Sequence, residues 1–165
     1  MRVRRGWALG ALGLALAGCG VQPTGPVEAG GPAGGLTRGM RLYFASDGGL
    51  RAVPLLDREI TSLNAAVKLL AQGPPPAERR DGLTSLLQEL GGYTVTGAGT
   101  RVTVRLEHSY PADGRGQATG QLVCTLARAQ SVLEPAVRAE DVRVTLRPAG
   151  EPAMGPYRCA DFLAG

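Results

Sequence analysis

"LNAAVKLLAQGPPP", residues 63–76, decides how the chain is to be read. Leu63, Ala66, Val67 and Leu70 fall at i, i+3, i+4 and i+7, which sets one apolar face on a helix. Thr61 or Ser62 can cap its start. Gly73 suits the C′ position, and Pro74-Pro75-Pro76 forbid continuation. On the N-terminal side the pattern changes period. "MRLYFAS", 40–46, alternates and reads as a strand. Asp47-Gly48-Gly49 is a hairpin-type turn. "LRAVPLL", 50–56, is the return strand, and Pro54 pushes it toward an edge or a bulge.

On the C-terminal side, 77–92 reads as a short helical turn followed by an irregular stretch or short helix around Leu83 to Leu90. "YTVTG", 93–97, and "RVTVRL", 101–106, are strands joined by a turn. In the second, Val102, Val104 and Leu106 face one way and Arg101, Thr103 and Arg105 the other, the mark of a half-buried strand. Residues 116–133 form a second helix, with Ala118, Leu122, Thr125 and Leu126 inward, ended or kinked by Pro135. "DVRVTLRP", 141–148, alternates again. The expected fold is α+β: a two-layer sandwich with two main helices on one face of a small open mixed sheet of about five strands, its other face wet.

Outside this domain, the first residues read as an export signal. Arg2, Arg4 and Arg5 precede an uncharged run too short to span a bilayer, which needs about 20 apolar residues. Leu16-Ala17-Gly18-Cys19 resembles the bacterial lipobox. That resemblance implies cleavage before Cys19, acylation of its thiol, and a lipid anchor on the extracytoplasmic face of the cell membrane. The alternative is an ordinary secretory signal with an incidental cysteine. Half of residues 20–39 are Gly or Pro, a composition that cannot bury enough apolar surface to fold. The expected organisation is a signal peptide at 1–18, a lipidated Cys19 and tether at 19–39, and one domain at 40–165.

The formal charge is +4. Without the three signal arginines, 15 basic residues face 14 acidic ones, and no basic stripe argues for nucleic acid. All the cations but Lys68 are Arg, which fits a genome rich in G and C. Cys124 and Cys159 remain after Cys19; an even pair in an exported chain reads as a disulfide, the alternative being two buried thiols.

The ordered set "LYF" at 42–44, Arg58, "AAVKLLAQGPPPAE" at 65–78, "DGLTSLL" at 81–87, "VTVRLEHSY" at 102–110, "QLVCTL" at 121–126 and "VRVTLRPAG" at 142–150 resembles the GerMN domain. This is the sporulation and spore germination domain of bacterial envelope lipoproteins, here of a high-G+C Gram-positive type. The sequence departs from that pattern at Val104-Arg105-Leu106-Glu107-His108-Ser109, where the family has an acidic residue and a serine. The resemblance brings no catalytic residue. It implies a non-catalytic interaction or assembly module in sporulation, germination, cell-wall or signalling processes.

The chain's own chemistry agrees. His108 is the sole histidine; with Glu107, Ser109 or Asp113 it could be a general base, though a polar strand end is the simpler reading. Glu78, Asp81 and Glu89 could pair as carboxylates for sugar hydrolysis but read as loop solvation. One histidine and two bridged cysteines make no standard zinc site, and no cofactor is expected. Arg58, between a strand and a helix, reads as a structural residue, either in a loop ion pair with Asp57 or Glu59 or bonding carbonyls. The expected partner is an envelope protein or a second copy, bound at a sheet edge or face. The alternative is a lipoprotein that binds or hydrolyses cell-wall material.

Overall fold

The computed structural model describes residues 39–110 and 113–163. Cys19, the signal segment and the tether up to residue 38 lie outside the described residues. The architecture of the described residues is α+β, with a sandwich of helices and sheets and no barrel among them. In order, the elements are β1 (Arg41–Ser46), β2 (Gly49–Pro54), α1 (Leu63–Ala71), α2 (Pro76–Arg80), β3 (Tyr93–Ala98), β4 (Arg101–Leu106), α3 (Gln117–Leu133), a 3-10 turn (Ala139–Asp141), β5 (Arg143–Arg147), β6 (Met154–Tyr157) and α4 (Ala160–Leu163).

The local signals act as their chemistry requires. Ser62, rather than Thr61, caps α1: its side chain accepts the Ala65 N–H at 3.1 Å. Leu63, Ala66, Val67 and Leu70 are all buried. Gly73 follows the C-cap with φ +88°, a conformation that favours a residue without a Cβ. Residues 83–90 contain no helix; Thr84 instead exchanges two backbone bonds with Ala45, both 3.0 Å.

Among the described residues the strands number six and divide between two sheets, where the sequence led to about five in one. β1 and β2 form an antiparallel hairpin, and β3-β4-β5-β6 form a mixed sheet. Only β4 and β5 run parallel, with Val102 beside Val144 and Val104 beside Leu146. The crossover between them carries α3, as a parallel connection requires. β6 is hidden in the sequence because "MGPY" contains the two residues that least resemble a strand.

α3 is the reason the hairpin stands apart. It touches both sheets as well as α1 and α4, and it is buried around nearly its whole circumference. Ala118, Leu122, Thr125 and Leu126 are inward as expected, but so are Gln121, Val123, Ala127 and Gln130. Such burial is tolerable only because each polar group finds a partner. Gln121 Nε2 donates to the Thr84 carbonyl at 2.7 Å, and its Oε1 accepts the Leu86 N–H at 2.9 Å. Gln130 Nε2 donates to the Gly99 carbonyl at 2.9 Å. Thr125 Oγ1 accepts the Tyr43 N–H at 3.0 Å. Gly120 lets the hairpin and tail close in: a Cβ there would lie 2.8 Å from Leu50 Cδ1 and 2.9 Å from Phe162 Cβ.

Candidate interaction edge

An exposed sheet edge presents unpaired N–H and C=O groups to any extended chain, so the state of each edge decides what can dock. The outer edge of β3 is clipped by a side chain. Asn64 on α1 donates to the Val95 carbonyl at 3.2 Å and accepts the Val95 N–H at 3.0 Å. β6 is only four residues long, contains Pro156, and pairs with β5 through a register shift. β1 gives its outer backbone groups to Thr84 and Thr125.

β2 differs. In an antiparallel pair, residues alternate between bonding to the partner and facing away from it. Tyr43 and Ala45 turn their N–H groups away from β2, so their partners Ala52 and Leu50 turn theirs away from β1. Pro54, opposite Arg41, falls in the same phase, so its missing N–H removes no bond of the hairpin. Among the described residues, no hydrogen bond reaches the outward backbone groups of Leu50 and Ala52.

This edge runs directly into an apolar anchor. Leu56 is 79% exposed, two residues beyond Pro54. It stands between two open grooves. One, of about 640 Å³, includes Leu55, Ile60 and Leu133; the other, of about 540 Å³, includes Pro54, Leu69 and Pro75. Arg58 lines both. It is exposed, and among the described residues no carboxylate or carbonyl bonds its guanidinium. The structure thus places Arg58 on a groove rim, with neither the Asp57 or Glu59 pair nor the carbonyl bonds of the structural reading. Leu56 was not visible as special from the sequence, where it simply ended an apolar run.

The other candidates are scattered. Cys124, in the middle of α3, is bonded to Cys159 with an S–S distance of 2.03 Å, which clips the tail and α4 onto the central helix. Glu107, His108, Ser109 and Asp113 are exposed, and among the described residues no hydrogen bond joins His108 to any of the others. Asp113 instead shapes the turn into α3: its carboxylate accepts the Arg115 N–H at 3.3 Å and its carbonyl the Thr119 hydroxyl at 2.7 Å. Glu78 lies on α2, with Oε2 buried and unpartnered, Asp81 ends that helix, and Glu89 sits in the following loop. Among the described residues, no group of three His, Cys, Asp or Glu could hold a metal ion, and no helix is long and apolar enough to cross a membrane.

No family model, curated protein or solved structure matches the chain.

Proposed function

We propose that this protein is a membrane-anchored envelope lipoprotein whose GerMN-like domain is a non-catalytic interaction module. The partner, an envelope protein or a second copy of the chain, adds an extended segment to β2. The open β2 edge running into exposed Leu56, beside edges that are clipped or irregular, carries this reading. Main-chain bonds to Leu50 and Ala52 would supply affinity, and a side-chain contact at Leu56 would supply specificity. Cys19, acylated after signal cleavage, holds the domain at the extracytoplasmic face.

Crosslinking in cells followed by mass spectrometry, on the tagged chain beside Cys19→Ala, tests this. One dominant protein partner, dependent on anchoring, is expected. Ala52→Pro removes an outward N–H and should abolish that crosslink while circular dichroism stays unchanged. Arg51 is a poorer target because it bonds inward, opposite Phe44. Leu56→Asp should weaken the crosslink without touching the backbone. Enrichment of glycan fragments with no protein partner would overturn the proposal in favour of wall-ligand binding.

A further inference from the structure

The outward face of the four-stranded sheet is a second surface, built from different residues. β4 and β5 run in parallel register, which sets Arg101 beside Arg143, Thr103 beside Thr145 and Arg105 beside Arg147. The valines and leucines between them are buried, the four arginines are exposed and the two threonines half-buried. β3 adds Thr94 and Thr96 to the same face, opposite Arg105 and Thr103. No strand of this sheet contains Asp or Glu; Glu107, Asp141 and Glu151 lie beyond the strand ends. Among the described residues, none of the four guanidinium groups has an ion pair or hydrogen bond. Like charges directly opposite on a sheet repel, so the face holds two cationic pairs with no carboxylate bonded to them among the described residues.

The chemistry that relieves this repulsion is an array of phosphates. Each guanidinium is a planar fork suited to phosphate oxygens, and the threonine hydroxyls donate between the forks. The pairs lie about 13 Å apart along the strands and about 4.8 Å apart across them, so the array is flat and broad. A shallow groove of about 350 Å³ runs along it between Arg101, Thr103, Arg143, Thr145 and Arg147. The outward strand residues include no aromatic or large aliphatic side chain; the apolar ones are Ala98 and Pro156. A protein interface needs an apolar or aromatic centre and about 800 Å² on each side, and single-stranded nucleic acid needs aromatic platforms.

We infer that this face docks the domain on the anionic phospholipid headgroups of a membrane. The proposed anchoring bears on the orientation. Gly39, where the tether joins the domain, accepts a 2.8 Å bond from Arg128 near the C-terminal end of α3. Gln130 binds the Gly99 carbonyl, two residues before Arg101, at that same end. The tether and one end of the arginine face therefore share an end of the domain. With Cys19 acylated, only residues 20–38 separate the anchor from that end of the domain.

The test is co-sedimentation of the full chain carrying Cys19→Ser, with vesicles of phosphatidylcholine alone or mixed with phosphatidylglycerol. Removing the acyl site makes the result independent of anchoring, which the mass of Cys19 in cells decides separately. The chain should prefer the anionic vesicles. That preference should fall about fivefold for each arginine replaced by Gln, vanish in the variant carrying Arg101→Gln, Arg105→Gln, Arg143→Gln and Arg147→Gln together, and weaken with salt. Arg51→Gln, outside the face, should leave it unchanged, and comparison with wild type subtracts any contribution of the apolar N-terminal run. Arg105→Gln with Arg147→Gln alone serves if the fourfold variant fails to fold. Equal preference in wild type and the folded arginine variants would overturn the inference. So would binding of soluble polyphosphate with no preference between the two vesicles, or capture of an acidic protein in their place.

Discussion

Gln121 has no solvent exposure, and both ends of its amide are in use: the Thr84 carbonyl on one side, the Leu86 N–H on the other. It holds the segment after α2 against α3, and that segment in turn occupies the outer edge of β1. Leaving a buried backbone group without its partner costs about 1–3 kcal/mol. Gln121→Ala should therefore lower unfolding free energy by about 2–4 kcal/mol in urea titration, with faster amide exchange at Thr84 and Leu86. Tyr110 is a second residue whose surroundings matter. Burial pushes its phenol above the usual tyrosine value, Thr119 pulls it back through a hydrogen bond, and Tyr157 and Asp113 push it up. A raised folded value means the neutral phenol stabilises the fold. The contribution is fully present below about pH 10, the unfolded value, and is lost as pH rises through the folded one. Phenolate absorbance should appear together with loss of circular dichroism, and Tyr110→Phe should delay that loss.

At the scale of elements, the clip on β3 separates one kind of edge from another. Asn64 sits between the N-cap of α1 and its buried face, yet it closes the strand by bonding both backbone groups of Val95. Asn64→Ala should leave those groups unpaired at the edge of the larger sheet. A larger concentration-dependent associated fraction in sedimentation velocity than wild type shows at the same concentration is the expected result, with a stability loss of about 1–2 kcal/mol. The helix itself was legible from its apolar spacing, its serine cap and Gly73. The clip was not, because an asparagine at that position is indistinguishable in sequence from a solvated one. The same holds for β6, whose Gly-Pro pair conceals a strand that exists only because β5 offers it an edge.

At the scale of the whole molecule, the disulfide ties the last element to the central one. Cys124 and Cys159 are 35 residues apart. On the chain-entropy account a loop of that size is worth roughly 3–4 kcal/mol. Cys159→Ser should lower the melting temperature accordingly and free α4, seen as rapid exchange at Asp161 and Phe162. Hairpin pairing should survive, since β1 and β2 bond to each other, and β1 to Thr84 and Thr125, rather than to the tail. The pair was readable from its even count in a chain whose first residues read as an export signal. That it joins the middle of α3 to a tail packed near Leu50 is a matter of three-dimensional arrangement.

Residue order alone determined what depends on near neighbours: the capped α1 and its buried stripe, the Asp47-Gly48-Gly49 hairpin, the alternation that turns Arg101 and Arg105 outward, the α+β class. Tertiary structure decided the division into two sheets, the burial of α3 on nearly every side, which edge is closed and which stays open, and the placing of Arg101 beside Arg143 and Arg105 beside Arg147. The physical reason is one of range. Periodicity, caps and turns are energetic preferences within a few residues. A glutamine that satisfies a distant carbonyl, an asparagine that closes a strand and two arginine pairs brought side by side by a parallel crossover depend on contacts between segments some thirty to forty residues apart, which no local pattern records.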